Sequence, residues 1–379
     1  MIILLFLYAR LFFLYKKSWD NIRIPTGVNS SDFVSIVVAC RNEESNILNL
    51  IKDIKFQDFD INRFELIVVN DHSEDDTLKI LKEVEKSCTF LKVLCMSGKE
   101  YGKKNAIRKG ILHSKGKIIL CTDADCRIGE KWIQTLSNYF TDVDCIFVSA
   151  PVVYKEKFSL FSKYQYLEML SLVSSSASAI SRSKATLCNG SNMAFRKNKY
   201  LEVPEEIFND FETDDVSLLH YFKKNFNNSI FFAKQKKAIV RTSNSPTISS
   251  YLSQKLRWIS SSKSVKDTDT ILVSLLVYFI NLLVVVPFFL ILYLFVIDTS
   301  SDYNELGFVF HLVILSFFLL IYITKFLSDY FFLKSVLRFF EKNDLLIYLF
   351  PFTIINSIFT VVIVPLSFLI PIKWKGRKI

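Results

Sequence analysis

The stretch "KIILCTDADC", residues 117–126, joins a short apolar run to a pair of carboxylates. Three earlier runs resemble its apolar part, since they too are short, uninterrupted and rich in β-branched residues; they lie at 34–39, 65–70 and 91–96. Such runs are typical of strands that are buried on both faces of a parallel sheet. Helix-like segments separate the runs, at 43–56, 75–86 and 103–115. This alternation predicts an α/β fold with a doubly wound, mostly parallel sheet.

Polar clusters follow three of the predicted strands, at residues 40–44, 70–76 and 122–126. In open parallel sheets, ligands bind beyond the carboxyl ends of the strands, so these clusters are the candidate site. The chain has only nine glycines, and neither the P-loop nor the dinucleotide-binding spacing occurs in it. A bound phosphate therefore needs another neutralising group.

Asp123 and Asp125 are one residue apart, so both can reach a single divalent cation. Mg²⁺ and Mn²⁺ prefer oxygen ligands, and substrate phosphates can complete their shell. An isolated D-x-D is more often a solvated turn, but its position after a buried strand favours the metal site. Cys121 and Cys126 flank the pair, yet nothing nearby completes a zinc site.

The composition places part of the chain in a membrane, because 51% of its residues are hydrophobic. Three uncharged segments are long enough to cross the hydrocarbon core, at 271–297, 306–324 and 345–372. Residues 1–17 are a weaker candidate that carries Arg10, and the basic pair Lys16 and Lys17 follows its apolar run. This order is unlike a signal peptide and predicts an uncleaved anchor.

The net charge of +10 is spread along the chain, and basic residues also flank the apolar segments. We interpret this charge as attraction to an anionic membrane surface and expect no nucleic-acid partner. The seven cysteines are irregularly spaced and are expected to be reduced thiols.

The second half of the predicted globular region is less regular. We expect a long helix at 161–180, a turn at 188–197, and an acidic helix start within 211–222. Residues 250–264 place Leu252, Leu256 and Ile259 on one helical face, just before the first long apolar segment. This pattern predicts an amphipathic helix at the membrane surface.

Seven motifs, in this order, resemble family 2 glycosyltransferases with a GT-A fold: "SIVVACRNEE", "VVNDHSEDDT", "GKKNAIRKG", "TDAD", "NGSNMAFRK", "TDD" and "QKLRW". The last is similar to the Q-x-x-R-W pattern of membrane-bound, often polymer-forming members. The resemblance covers about residues 33–265 and implies a GT-A domain there, between the anchor at 1–17 and a transmembrane region at 271–372.

The resemblance assigns donor-binding roles to residues at the strand ends. Asp71 looks like the carboxylate that accepts from the imide N–H of uracil, while Ala39 and Glu43 fall where the family holds nucleoside and ribose. Lys103 or Lys104 is expected at the diphosphate. The alternatives are a first-turn helix charge for Glu43 and a solvated helix face for either lysine.

The same resemblance places Asp123 near ribose and metal and makes Asp125 the more direct ligand of Mg²⁺ or Mn²⁺. Asp215 aligns with the catalytic base, and Asp214 replaces the more usual glutamate. A carboxylate suits the base of an inverting transfer, which removes a proton from the acceptor hydroxyl. A helix N-cap at Thr213 with an acidic first turn is an alternative that is compatible with this role.

The resemblance also implies roles for the "QKLRW" segment. Arg257 is expected to neutralise the departing diphosphate and Trp258 to stack on an acceptor sugar, with Gln254 on the same helical face. Trp258 can instead be read as an aromatic anchor at the membrane interface.

The expected function is inverting, metal-dependent transfer from a nucleotide-diphosphate sugar, favouring a UDP-sugar, to a lipid-linked or saccharide acceptor in cell-envelope glycan or glycolipid synthesis. The expected location is the bacterial inner membrane, with the catalytic domain in the cytoplasm. A processive polysaccharide synthase is the main alternative. A haloacid-dehalogenase-like phosphatase is a remote alternative, because three βα units precede the D-x-D here. An inactive membrane scaffold is also remote, because it would lack the metal pair or the base, and both are present.

The expected membrane topology conflicts with the charge of the C-terminal residues. Three crossings that start from a cytoplasmic domain would leave the basic residues of 373–378 outside, against the positive-inside rule. Either the last apolar segment turns back within the membrane, or the first segment does not cross.

Overall fold

The computed structural model describes residues 1–25, 30–98, 100–157, 159–209, 214–226, 228–261, 265–297, 305–370, 373–374 and 377–378. The chain divides into two compact units, one of residues Asn21–Asn244 and one of Met1–Asp20 with Ser245–Ile379. The segment from Ser245 onward groups with the apolar helices, and the extent of the catalytic domain to residue 265 stays a prediction.

The described strands are β1 Val34–Cys40, β2 Phe64–Asn70, β3 Leu91–Cys95, β4 Ile118–Thr122, β5 Arg127–Ile128, β6 Phe147–Ser149, β7 Val152–Tyr154, β8 Asn192–Arg196, β9 Ile230–Phe232, β10 Val240–Thr242, β11 Lys373–Trp374 and β12 Arg377–Lys378. The described helices are α1 Ile2–Asp20, α2 Ile47–Lys55, α3 Thr77–Glu85, α4 Lys103–Leu112, α5 Trp132–Ser137, α6 Leu160–Ile180, α7 Lys197–Leu201, α8 Glu205–Asn209, α9 Asp214–Asn225, α10 Ile248–Ser261, α11 Thr268–Ile297, α12 Glu305–Phe339 and α13 Leu349–Leu369.

The central sheet of the first unit is mostly parallel, as predicted. Among the described residues its strand order is β3-β2-β1-β4-β8-β6-β9. The four apolar runs form β1 to β4, and β1 pairs in parallel with both β2 and β4. Of the strands that the structure describes in this sheet, β8 alone runs against its neighbours, since it is antiparallel to both β4 and β6. The predicted α/β fold class is confirmed.

The prediction of a turn throughout 188–197 is wrong, because residues 192–196 form β8. The strand depends on the fully buried side chain of Asn192, which accepts from Trp132 Nε1 at 2.9 Å. Its amide nitrogen donates to the carbonyl oxygens of Pro151 and Ala238, at 2.7 and 2.8 Å. Since these partners are distant in sequence, the short run had no local pattern that marks a strand.

The core lies on both faces of the sheet, which explains the uninterrupted apolar runs. Alternate residues of β2 point into different clusters: Leu66 and Val68 into one, Ile67 and Val69 into the other. Full burial of such a side chain contributes about 1.5–3 kcal/mol. Helix α4 packs so closely on the second face that a Cβ at Gly110 would lie 2.4 Å from Val37 Cγ1.

A small second sheet lies in the same unit and has the order β5-β10-β7. Strand β5 begins at Arg127, two residues after Asp125. In β10, Thr242 pairs with Tyr154 of β7. The segment with the two aspartates therefore connects the central sheet to the second one.

Three described helices are long and apolar enough to cross a membrane, by length and composition: Thr268–Phe295, Val309–Phe339 and Asn343–Leu369. The second apolar segment was predicted to end at 324, whereas α12 continues to Phe339. The charge at Lys325 suggested an end, but Lys325 Nζ lies 2.6 Å from Asp329 Oδ2, one helical turn later. Tyr8 of α1 donates to the same carboxylate at 2.6 Å. The two charges thus neutralise each other within the helix bundle.

Helices α1 and α12 run in the same direction. Tyr8 contacts Asp329, and further along both helices the Trp19 ring lies 5.6 Å from the Phe339 ring. The carboxyl ends of α1 and α12 therefore lie together.

Helix α13 begins beside the middle of α12 and ends beside α10. Tyr322 Oη of α12 donates to the carbonyl of Phe350 at 2.6 Å. At the other end, Ser260 Oγ of α10 donates to the carbonyl of Ser367 at 3.0 Å. Since α10 directly precedes α11, the end of α13 lies near the point where α11 begins.

Candidate functional site

The candidate site forms where the carboxyl end of β4 meets the amino end of β8. Thr122, the last residue of β4, pairs with Asn192, the first of β8. Because the two strands are antiparallel, the segment after Thr122 and the turn before Asn192 lie at the same edge of the sheet. The first segment carries Asp123 and Asp125, and the turn carries Gly190.

Lys103, the first residue of α4, forms an ion pair with Asp123. Its Nζ lies 2.5 Å from Asp123 Oδ1. Desolvation opposes the charged form of the lysine, but the charge and hydrogen bond of Asp123, followed by the charge of Asp215, raise the pKa of Lys103 above its ordinary value. Asp123 therefore contacts this ammonium group, and Asp215 lies near enough for its charge to act on it.

The surroundings of Asp125 disfavour its negative charge. Its pKa is raised, first by burial and then by the negative charges of Asp123 and Glu43. The hydroxyl of Thr242 partly opposes this shift by donating to Asp125 Oδ2 at 3.1 Å. A carboxylate that is buried beside two others favours the binding of a cation.

The carboxylates of Asp123 and Asp125 fit a magnesium or manganese ion that takes most of its ligands from water and substrate phosphates. Within the described ranges, no group of three or more histidine, cysteine, aspartate or glutamate side chains is arranged to hold a metal. Two carboxylates with water and substrate phosphates are the usual set for Mg²⁺. Burial raises the pKa of the Cys126 thiol, and the charges of Asp123 and Asp125 raise it further, so the thiolate form is disfavoured in the metal-free site.

Asp71 is held firmly at the end of β2. The residue is 2% exposed, Oδ2 accepts from the Gly102 amide at 2.9 Å, and Oδ1 lies 3.1 Å from His72 Nδ1. Gly102 has a φ of +99°, a conformation that glycine adopts without strain. The carboxylate therefore ties the start of α4, and with it Lys103, to the sheet.

Glu43 lies in the loop after β1, and Ala39 lies half-buried within that strand. Helix α2 begins at Ile47 and has no acidic residue in its first turn, so the alternative that Glu43 is a first-turn charge is wrong. The Glu43 amide donates to Thr77 Oγ1 at 2.8 Å, and Glu43 Oε2 accepts from Asn46 Nδ2 at 2.9 Å.

The loops after β1 and β2 are joined by further hydrogen bonds. Arg41 contacts Glu74 at 2.9 Å, and the amide of Asp76 donates to Glu44 Oε2 at 2.9 Å. These contacts hold the two loops, which carry the predicted nucleoside-binding residues, in place before any ligand binds.

Asp215 is the second residue of α9, and backbone amides hold both of its carboxylate oxygens. Oδ2 accepts from Gly190 at 2.6 Å and Oδ1 from Val216 at 3.0 Å. The predicted cap Thr213 and the side chain of Asp214 lie outside the described residues.

The Q-x-x-R-W residues lie on α10, in the unit with the apolar helices. Gln254, Arg257 and Trp258 are half-buried. The buried face of α10 carries Tyr251 and Lys255, and the ammonium of Lys255 lies 4.3 Å from the Trp258 ring centroid. Of the predicted apolar face, Leu252 remains 37% exposed.

Several residues of the site were missed from the sequence. Gly190 belongs to an Asn-Gly pair, a turn signal that the sequence does show. Thr242 and Asn192 carry no such signal, because their contacts join segments that are far apart in the chain.

Comparison with known proteins connects this geometry to a family. Residues 35–203 match the family described as Glycosyl transferase family 2. The beta-monoglucosyldiacylglycerol synthase of Nostoc sp. (strain PCC 7120) is 36% identical over 100 residues, which are 26% of this chain and 21% of that protein. The poly-beta-1,6-N-acetyl-D-glucosamine synthase of Staphylococcus aureus (strain COL) is 23% identical over 154 residues, which are 40% and 36% of the two chains. The chain thus spans only about a fifth to a third of the length of these relatives.

Among solved structures, the mannosyltransferase PcManGT from Pyrobaculum calidifontis, in complex with GDP-Man and Mn2+, has a TM-score of 0.56 at 13% identity, over 96% of this chain and 95% of that chain. This likeness confirms the predicted GT-A fold. The family match assigns residues 35–203 to a family 2 glycosyltransferase domain, and the structural likeness adds the fold alone.

Proposed function

We propose that this protein transfers a sugar from a nucleotide-diphosphate sugar to a membrane-associated acceptor with inversion, and that the transfer depends on Mg²⁺ or Mn²⁺. The observation that carries the proposal is the gathering of Asp123, Asp125, Lys103 and Asp215 at the β4–β8 edge of a family 2 domain. This match favours a transferase over the phosphatase alternative. The presence of the metal pair Asp123 and Asp125, together with the base Asp215, favours an active enzyme over a scaffold.

Asp125 would hold the metal most directly and Asp123 would share it, and a bound ion would neutralise the negative charge of the departing diphosphate. Lys103 contributes a second positive charge next to Asp123. Neutralisation by side chains agrees with the absence of a glycine-rich phosphate loop from the sequence.

Asp215 acts as the general base in this proposal. It accepts the proton of the acceptor hydroxyl while that oxygen attacks the sugar carbon opposite the leaving diphosphate. The two backbone amides on its carboxylate support this role, because they hold the side chain in one orientation. Asp214 directly precedes it in the sequence and is proposed to assist it.

The donor's nucleoside is proposed to bind at Asp71, Ala39 and Glu43. A carboxylate at Asp71 suits the imide N–H of uracil, which is why a UDP-sugar is favoured. The fixed position of Asp71 next to Gly102 and His72 supports a specific contact with a base.

The acceptor is proposed to be lipid-linked or a saccharide, in cell-envelope glycan or glycolipid synthesis. Gln254, Arg257 and Trp258 would contact it or the diphosphate, and their location on a helix next to the membrane segments favours an acceptor at the membrane surface. Processive polymer synthesis is the second candidate, because the Q-x-x-R-W segment is present and one relative is a polysaccharide synthase.

Isolated membranes that contain the full chain should be supplied with individual nucleotide sugars and with Mg²⁺, Mn²⁺ or a chelator. We expect metal-dependent release of nucleoside diphosphate from one donor and a single-sugar product by mass spectrometry. A ladder of products would favour the synthase. If no donor is consumed with any acceptor extract, the proposal fails.

The protein is proposed to lie in the bacterial inner membrane with residues 21–244 on the cytoplasmic side. The parallel packing of α1 and α12 supports this orientation, because it brings the basic residues near the ends of both helices, Lys16, Lys17 and Arg338, to one side. The course of α13 supports a helix that returns to the same side, so that the basic residues of 373–378 are also cytoplasmic. The acidic Asp298 and Asp302, predicted for the opposite side, lie outside the described residues.

Reporter fusions test this orientation. A fluorescent protein that matures only in the cytoplasm is expected to fluoresce when it is fused after residue 379, and a periplasmic phosphatase reporter at that position should be inactive. The opposite pair of results would mean that α13 crosses the membrane.

A further inference from the structure

We infer that Gly190 is a positioning residue for Asp215, and that its amide and its lack of a side chain together aim the carboxylate toward the acceptor. This inference rests on the proposed role of Asp215 as the base. Gly190 itself need not touch substrate, since it acts through Asp215.

The contact between the two residues is close on two counts. The Gly190 amide donates to Asp215 Oδ2 at 2.6 Å. A Cβ on Gly190 would lie 2.9 Å from the same oxygen and 3.3 Å from Asp215 Cγ. Any other residue at position 190 therefore has to displace either the turn or the carboxylate.

The turn around Gly190 resists displacement. Asn189 Oδ1 accepts from both the amide and the hydroxyl of Ser191, at 3.1 and 2.7 Å. The next residue, Asn192, is fully buried and joined to Trp132 and to two backbone carbonyls. Because this side of the contact is anchored to the core, a new methyl group at position 190 is expected to move Asp215.

The carboxylate has little room to adapt in place. Its other oxygen accepts from the Val216 amide at 3.0 Å, so rotation away from Gly190 weakens that bond as well. The turn also begins the strand that pairs with Thr122, directly before Asp123. Gly190 thus couples the orientation of the base to the sheet edge that carries the two aspartates.

The test compares Gly190→Ala with Gly129→Ala in the full-length protein. Gly129 is the matched control, because a Cβ there has no atom within 4 Å and its φ is not restricted to the glycine region. For Gly190→Ala we expect kcat to fall about 10-fold to 100-fold, since a small misplacement of a reacting group has effects of that size. We expect the affinity for nucleoside diphosphate with Mn²⁺ to change less than 2-fold, because the donor-binding carboxylates are not moved.

The split between kcat and nucleotide affinity separates positioning from general damage, because a structural defect alone would weaken nucleotide binding as well. If Gly190→Ala keeps the wild-type kcat while Asp215→Asn is inactive, the positioning role is wrong and the proposed function stands.

Two further outcomes remain decisive. Should Asp215→Asn retain activity, the assignment of the base fails, whatever Gly190→Ala does. Should Gly190→Ala not fold, Asn189→Ala takes its place, since it loosens the turn without placing a methyl group against Asp215. A lower kcat with unchanged nucleotide affinity in Asn189→Ala supports the inference, and a wild-type kcat overturns it.

Discussion

The ammonium group of Lys103 lies 2.5 Å from the carboxylate of Asp123, in the place where a cation is expected to bind. Both side chains are partly exposed, at 43% and 32%, so this ion pair contributes little to stability. The ion pair matters because a metal ion and the ammonium group of Lys103 compete for the negative charge of Asp123.

Lys103→Met should therefore have opposite effects on two ligands. Removal of the competing charge is expected to strengthen Mn²⁺ binding to the nucleotide-free protein several-fold, as judged by electron paramagnetic resonance of free Mn²⁺. The same change should weaken nucleoside diphosphate binding about 10-fold in the presence of saturating Mn²⁺, since a hydrogen bond between charged groups contributes on the order of 1.5 kcal/mol. Lys104→Met is the control and should change neither affinity by more than 2-fold. Equal effects of the two substitutions would contradict the assignment of Lys103.

Asp125→Ala and Asp215→Asn are both expected to reduce transfer at least about 100-fold, for different reasons. Asp125→Ala should also lose Mn²⁺-dependent binding of the nucleotide, because it removes a metal ligand. Asp215→Asn should bind metal and nucleotide like the wild type, because only the proton acceptor is lost. Calorimetric titration separates the two variants. Appreciable turnover by either one, in a folded preparation, would contradict the mechanism.

Asp125→Asn should stabilise the metal-free protein at neutral pH. The pKa of Asp125 is raised above its ordinary value of 3.8, chiefly by burial and then by Asp123 and Glu43, so its ionisation opposes folding. The penalty is absent below the ordinary pKa, where the carboxyl group is protonated in the folded and the unfolded states. It grows as pH rises and is complete above the raised pKa.

Thermal unfolding at two pH values in the presence of a chelator checks this expectation. The variant should unfold a few degrees higher than the wild type at pH 7, because 1 kcal/mol shifts the unfolding temperature of a domain of this size by about 2–4 °C. Near pH 3.5 the two proteins should unfold at the same temperature. Saturating Mn²⁺ should reverse the order at pH 7. A variant that is less stable than the wild type at pH 7 without metal would contradict the charge account.

The pair Lys325 and Asp329 is expected to behave as a unit. Their side chains are only 4% and 16% exposed, so replacing one by leucine leaves the other charge uncompensated in the helix bundle. Each single substitution should lower the unfolding temperature in detergent, whereas the double substitution should restore most of the loss. If the effects of the single substitutions simply add, the two charges are not coupled.

The central sheet could be predicted from local pattern alone. The four apolar runs form β1 to β4 with boundaries that differ by at most one residue, because strands buried on both faces need uninterrupted apolar side chains. The resemblance to family 2 glycosyltransferases is confirmed by the family match. By contrast, β8 and the extension of α12 were not foreseen. The contacts of β8 come from residues remote in sequence, and in α12 the charge of Lys325 is balanced by Asp329 one turn later, which also accepts from the remote Tyr8.

The sequence by itself determined which chemical groups the site contains and where they lie along the strands: the paired aspartates after β4, the carboxylate after β2 and the acidic start of α9. Only the tertiary structure decided that Lys103 pairs with Asp123 and that Gly190 holds Asp215. Spacing along a strand or helix is a local property, which the order of residues specifies directly. The contact between Gly190 and Asp215 exists only because β8 pairs with β4 and brings segments from different parts of the chain to one edge of the sheet.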